Sequence, residues 1–292
     1  MKIGLGTVQF GMPYGVANSG GQVPRQEVAA ILALAAARGI QVLDTAALYG
    51  NSEEALGHVL APGHGFRIVT KTPRFGKGSI DESDVRSLVD SFQASLRHLR
   101  QTAIYGLLIH HADDLLAPGG AALFTAMEGL KDQGWVKKIG VSVYTGHQID
   151  QVMNNFPVDL IQLPVSVLDQ RLLQSGHLAR LKGKEVEVHA RSVFLQGLLL
   201  MDPESFPPYF STVKEHMQAY REMLKRKDTT PLQAALAFVC NLDEVDVVLC
   251  GVESREQLSQ LLTLSEHPIG KEAYTRFAIN DAAILNPANW KL

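Results

Sequence analysis

Cysteine is nearly missing from this sequence. Only Cys240 and Cys250 carry thiols among 292 residues, too few for a disulfide framework or a thiolate metal cluster, so a reducing compartment is expected. Strong charge of either sign is missing too: 27 Lys and Arg against 30 Asp and Glu leave a formal net charge of -3. That balance lacks the basic footprint of nucleic-acid binding. The longest hydrophobic run, Val28 to Ala37, falls far short of the roughly 20 residues of a membrane span. The opening residues Met1 to Phe10 hold one charge and no small-residue cleavage pattern, so no signal peptide is read and cytoplasmic residence is expected. No Ser/Pro-rich linker or low-complexity tract marks a domain boundary.

What is present is a chain able to bury a core, 46% hydrophobic and 20% charged. Its length is about twice that of a common domain, which leaves two ordinary domains or one large architecture such as an α/β barrel. Short apolar strands alternate with 3.6-period segments to the end of the chain. Strands are expected at Lys2–Leu5, Gln41–Asp44, Arg67–Lys71, Tyr105–Ile109, Lys138–Val141, Leu160–Leu163, Glu185–Ala190 and Val245–Leu249. Between them the pattern predicts helices at Pro24–Arg38, Asp81–Leu99, Ala121–Gln133, Gly146–Asn154, Leu172–Lys182, Ser211–Arg226 and Ser254–Ser265. A further helix is expected to open at Asn51, with Asn51 as cap and Glu54 completing a capping box. Eight strand-helix units in succession predict an α/β fold, a single (β/α)8 TIM barrel over residues 1–292, with an open doubly wound sheet as the competing architecture. Two additional helices are expected, one from Thr230–Pro231 and one near Tyr274–Ile284.

In such a barrel the chemistry sits at the C-terminal ends of the strands. Three successive strands deliver Asp44, Lys71 and His110 to one barrel mouth, with Tyr49 in the loop after Asp44. Taken singly, each has an ordinary explanation as a turn-former, a solvated lysine, a satisfied histidine or a packed loop residue. Together they are an acid, a cation, an imidazole and a phenol converging on one place. This is the first point at which the sequence resembles a known family. Asp44-Thr45-Ala46-Ala47-Leu48-Tyr49-Gly50 resembles the D-T-A-x-x-Y-G signature of the aldo-keto reductases. Val69-Thr70-Lys71, Leu107 to His111 and Lys138 to Ser142 resemble that family's lysine, L-x-x-H and I-G-V-S-N segments. Ile161-Gln162, Gly197-Leu198-Leu199 and Cys250 to Leu258 extend the likeness over nearly the whole chain. The opening Gly4 to Gly11 most resembles bacterial members of sugar or cell-surface polysaccharide pathways.

The residue types suit carbonyl reduction. Hydride transfer to a carbonyl carbon needs a proton donor at the oxygen, and a phenol with a pKa of about 10 is a weak acid at neutral pH. Lys71 is expected to lower the Tyr49 pKa, Asp44 to hold the ammonium charged, and His110 to hydrogen-bond the carbonyl oxygen, assisting further if protonated. The resemblance implies an NAD(P)H-dependent reductase acting on a small-molecule aldehyde or ketone. It implies cofactor contacts from Gly6, Thr7, Asp44, Ser142, Gln162, Arg191, Ser192, Phe194, Gln196, Gly197, Gly251, Ser254, Arg255 and Gln257. Three positions depart from the family pattern. Val143 replaces an asparagine after the serine; Arg191 replaces a tyrosine stacked on the nicotinamide; Glu253 lies where NADPH-selective members place a basic residue. Arg255 is expected to compensate, so NADPH is favoured over NADH. A stacked Arg191 would disfavour the cationic oxidised ring.

Aromatic residues Phe10, Tyr14, Phe75, Tyr144 and the Phe206–Phe210 stretch are candidates for lining a pocket or forming a lid, while Arg74 reads as solvated. No metal site is expected, because His110 and His111 are adjacent on a strand and face opposite ways. A Schiff-base lysine enzyme and a non-catalytic cofactor-binding sensor are the competing functions. The sequence carries no signal of oligomeric state.

Overall fold

The computed structural model describes residues 2–18, 20–263, 270 and 272–290. Eight parallel strands pair in chain order and close on themselves. They are β1 (Ile3–Gly6), β2 (Val42–Asp44), β3 (Arg67–Lys71), β4 (Ile104–Ile109), β5 (Val136–Ser142), β6 (Leu160–Pro164), β7 (Glu187–Arg191) and β8 (Val247–Gly251). Closure is made by β1, whose Leu5 stands opposite Leu43 of β2 on one side and Cys250 of β8 on the other. The architecture is the (β/α)8 barrel expected, and the open sheet is excluded.

Side chains alternate across a strand, and that alternation sorts the core into two layers. Outward-facing Leu43, Ile68, Leu107, Ile139, Ile161 and Val248 belong to the large core shared with the helices. Inward-facing Val42, Val69, Leu108, Leu160, Val247 and Leu249 form a separate cluster inside the barrel. Two residues farther along those same strands come Asp44, Lys71, His110, Gln162 and Gly251. A polar rim at the C-terminal mouth is thus the next turn of the pleat above an aliphatic plug. At the other end of the barrel Glu187 accepts a hydrogen bond from the Tyr105 hydroxyl at 2.6 Å, lies 2.8 Å from His189 Nε2 and pairs with Lys138. Burial alone would raise the Glu187 pKa, but the His189, Lys138 and Tyr105 contacts outweigh it and hold the carboxyl at about 2.

Several helix boundaries differ from expectation. Asn51 does not cap the helix Ser52–Val59; its backbone lies outside the extended region an N-cap adopts, and its amide oxygen accepts from Gln22 instead. The Leu172–Lys182 segment is two helices, Arg171–Gln174 and His177–Gly183, broken at Gly176 with φ 77°. Pro207 and Pro208 turn the start of the Ser211–Arg226 segment into a 3-10 stretch, and the α-helix begins at Lys214. The single helix expected near Tyr274–Ile284 is replaced by the short helices Glu272–Thr275 and Ala282–Leu285, the second capped by Asp281. The last barrel helix spans Arg255–Thr263, and the end expected for it at Ser265 lies outside the described residues. Thr230 caps Pro231–Cys240 in a capping box with Gln233, as its sequence signature predicts. Two short helices at the mouth, Val8–Gly11 and Ala112–Leu116, were not anticipated. No helix of the described residues is long and apolar enough to cross a membrane.

Candidate active site

The centre of the rim is a buried ion pair. Lys71 Nζ donates to both Asp44 oxygens, at 2.8 and 2.7 Å, and to the Thr45 carbonyl at 2.8 Å. All three of its N–H groups are therefore used. Asp44 also accepts from Gln162 Nε2 at 2.7 Å. The pair is 4% and 1% exposed for Asp44 and Lys71, so it survives burial only because its charges and hydrogen-bonding groups are matched. Below it, Thr7 donates through its backbone N–H and its hydroxyl to the Asp44 carbonyl, and Ser52 donates to the Thr7 carbonyl. These bonds tie the loops after β1 and β2 together. The tie leaves no space for side chains where the loops cross: a Cβ on Gly11 would overlap the Tyr49 carbonyl, and Gly50 has φ 57°. The Tyr49 ring is fixed by this crossing, with Lys71 Nζ 4.9 Å from its centroid and the His110 ring edge-on at 5.8 Å.

The electrostatics depart from expectation in two places. The Tyr49 pKa is pushed above the tyrosine range, first by desolvation and then by the Asp44 carboxylate, with Arg191 opposing. The three Lys71 N–H groups point at Asp44 and Thr45 and not at the phenol. Burial lowers the Lys71 pKa, while Asp44 and Glu53 pull it back up. His110 is driven down to about 2 by desolvation, then by Lys71 and His111. Burial and the neighbouring cation thus favour the neutral ring over the imidazolium. Its Nδ1 is buried with no hydrogen-bond partner among the described residues, and the ring stacks on His111 at 4.9 Å.

Around these groups lies a cavity of about 570 Å³. It brings together Tyr49, His110, Asp44, Gly6, Thr7 and Ser142 with Gln162, Arg191, Ser192, Phe194, Gln196, Gly197, Gly251 and Gln257. Three predicted site residues are not in its wall. Lys71 lies behind Asp44, and Ser254 and Arg255 stand at the N-terminal end of the helix Arg255–Thr263, Ser254 Oγ accepting from the Gln257 N–H. An enclosed, fully bonded Lys71 has no approach for a carbonyl carbon, which removes the Schiff-base reading.

The loop after β7 that forms one side of the cavity is backbone-strained: Ser192, Leu195 and Gln196 have φ of 60°, 49° and 53°. Gln196 donates to the Tyr14 hydroxyl at 3.0 Å, and its carbonyl accepts from Val16 N–H at 3.2 Å, so the loops after β1 and β7 meet across the cavity. Arg191 makes no salt bridge among the described residues. Its guanidinium lies 4.0 Å from the Tyr144 ring centroid and donates to the Val143 carbonyl at 3.1 Å. The two departures at Val143 and Arg191 thus touch each other.

Of the aromatic candidates, Tyr14 and Tyr144 line the cavity, and Phe10 and Phe75 do not. The Phe206–Phe210 stretch is no lid over it. Phe210 packs edge-on against Trp290 at 4.8 Å, and Tyr209 donates to the Ala283 and Asn289 carbonyls. Arg74 is exposed. Sequence reasoning missed Gln9, Asn18 and Gln260 in the wall. Gln9 and Asn18 lie in the loop after β1, the position barrel chemistry favours, and Gln260 falls one helical turn beyond Gln257.

The family model described as "Aldo/keto reductase family" matches residues 2–281. The chain belongs to the aldo/keto reductase family. Membership makes it an oxidoreductase of carbonyl chemistry. It is 26% identical to the aldo-keto reductase YhdN of Bacillus subtilis (strain 168), over 93% of this chain and 87% of that one. Among solved structures it resembles the holo form of the aldo-keto reductase AKR11C1 from Bacillus halodurans, with TM-score 0.76, 21% identity and coverage of 99% and 95%. It also resembles the glycerol dehydrogenase AKR11B4 from Gluconobacter oxydans, with TM-score 0.72, 21% identity and coverage of 98% and 92%. At that identity the two solved structures speak to the fold.

Proposed function

We propose that this aldo/keto reductase reduces the carbonyl of a small aldehyde or ketone to an alcohol, using a nicotinamide dinucleotide and Tyr49 as general acid. The observation that carries the reading is the buried Asp44–Lys71 pair with Tyr49 and His110 beside it at one cavity. Residues of both halves of the chain line that cavity, which supports one barrel domain over residues 1–292.

The cavity wall suits a dinucleotide. His110 Nδ1 and Gln9 Oε1 are buried without partners among the described residues, so the wall holds unspent polar groups. Gly251 leaves bare backbone at the β8 end, where a side chain would meet the Gln9 amide at 2.7 Å. Ser142 and Gln162 would hold the carboxamide, with Arg191 at the ring. When bound, the reduced nicotinamide supplies the hydride. The remaining work falls to the protein. Neutral His110 donates a ring N–H to the carbonyl oxygen and orients it. Tyr49 keeps its proton throughout the neutral range and releases it to that oxygen as negative charge develops there. Lys71 acts as a positioning residue: it anchors Asp44 and Thr45, hence the loop that carries Tyr49. Arg191 is the neighbour whose charge favours the Tyr49 phenolate.

The test is consumption of reduced nicotinamide across a panel of aldehydes and ketones. Sugar-type carbonyls should head the panel, in keeping with the subgroup resemblance and with the glycerol dehydrogenase neighbour. Turnover that falls by about 10²- to 10⁴-fold in Tyr49→Phe supports the reading. Binding of the cofactor without turnover of any carbonyl would support a non-catalytic sensor instead.

A further inference from the structure

The end of the cavity farthest along β8 is walled by Val252, Glu253, Gln257, Gln260 and Leu261. The nine-residue helix Arg255–Thr263 starts there. A helix N-terminus is ordinarily a ready phosphate site, because its first N–H groups are free and its dipole is positive. Here two of those groups are taken up from within the protein. Arg255 N–H donates to Glu27 Oε1 at 2.6 Å, across from the helix Arg25–Ala37. Gln257 N–H donates to Ser254 Oγ at 3.1 Å, and Glu253 N–H donates to Gln257 Oε1 at 2.8 Å. A carboxylate thus occupies the place an incoming anion would take. A second carboxylate, Glu253, belongs to the cavity wall itself, where burial raises its pKa and a hydrogen bond with the Gln257 side chain opposes that rise. The one arginine of this segment, Arg255, is exposed and outside the wall.

With the reactive ring at the Tyr49 end, the adenosine half of a dinucleotide extends toward this acidic end. A free ribose 2′-hydroxyl is a donor and matches a carboxylate acceptor in a charge-assisted hydrogen bond. A 2′-phosphate brings negative charge and no donor, and meets the Glu253 carboxylate of the wall, with the Arg255 and Gln257 N–H groups already spent and the Glu27 carboxylate at the helix terminus behind them. We propose that Glu253 and Glu27 make this chain select NADH over NADPH, against the preference that Arg255 suggests in the sequence. Glu253 is the direct determinant, and Glu27 closes the helix terminus to phosphate. The inference rests on the nicotinamide chemistry proposed above.

Direct titration of the whole protein with NADH and with NADPH, followed by nicotinamide fluorescence, reads the selection without turnover. NADH is expected to bind at least about 10-fold more tightly than NADPH, the scale of one hydrogen bond to a charged group. Glu253→Gln should narrow that ratio by about 10-fold, and Glu253→Lys should invert it. Glu27→Gln keeps an acceptor for the Arg255 N–H while removing the charge, so the fold is preserved and the ratio should still narrow. Tighter binding of NADPH by the wild type, or a ratio unmoved in all three variants, overturns the inference and leaves the proposed function standing. Binding of neither dinucleotide overturns both.

Discussion

Removing either charge of the Asp44–Lys71 pair should destabilise the protein more than removing both would suggest. In Lys71→Met, Asp44 loses contacts at 2.8 and 2.7 Å and keeps the Gln162 amide at 2.7 Å as the carboxylate's only donor among the described residues. In Asp44→Asn, a buried ammonium is left with the Thr45 carbonyl and a neutral amide. Stranding one member of a buried pair costs about 3–5 kcal/mol. For 292 residues the unfolding entropy is about 0.6 kcal/mol/K, so each single substitution should lower Tm by roughly 5–8 °C. The double substitution strands no charge and should cost about 1–3 kcal/mol less than the sum of the two. Urea unfolding at pH 7 of all four proteins gives the cycle. Additivity within about 0.5 kcal/mol would show that the two residues do not interact, and would refute the geometry on which the site is built.

Other expectations follow from the same geometry. Glu187, held at about 2 against an ordinary value of 4.5, binds fewer protons folded than unfolded, so it stabilises above pH 4.5. That contribution, about 3 kcal/mol, is lost as pH falls from 4.5 to 2; Glu187→Gln should flatten acid unfolding in that window, and an unchanged profile would count against the cluster beneath the barrel. His110, with its pKa near 2, should show no imidazole titration between pH 5 and 8 by NMR, and a midpoint near 6.5 would contradict the neutral assignment. Arg191→Tyr removes the cation beside the proposed ring site and should raise affinity for the oxidised cofactor relative to the reduced form by about 10-fold; equal ratios in the two proteins would exclude that role. Leu108→Ala opens a void in the barrel interior and should cost about 2–5 kcal/mol by urea unfolding.

The strands were legible because two signals coincide in them: apolar runs bounded by turn residues, and an inward alternation that ends in a polar residue. Val42 with Asp44, Val69 with Lys71, and Leu160 with Gln162 each show the plug residue followed two positions later by the rim residue. Convergence of Asp44, Lys71 and His110 was readable for that reason. The charge states were not. The direction of the Lys71 N–H groups depends on the Thr45 carbonyl, whose position is set by a crossing of the loops after β1 and β2. Arg255 illustrates a different limit. Its charge is visible in the sequence, but the bond from its backbone N–H to Glu27, 228 positions away, is not. Helix breaks at Gly176 and at Pro207-Pro208 carried ordinary breaker residues that the apolar periodicity overrode.

The central claim is that Tyr49 gives the proton that completes hydride transfer at this barrel mouth. Its most direct test supplies a reduced cofactor deuterated at the hydride-donating position, together with a carbonyl the wild type reduces. Deuterium in the alcohol is then followed by mass spectrometry for wild type and Tyr49→Phe, each saturated with cofactor. The account predicts deuterium on the former carbonyl carbon in the wild type, and a rate at least about 100-fold lower in Tyr49→Phe with cofactor affinity retained. Alcohol formed without deuterium, or at the same rate in both proteins, would contradict it.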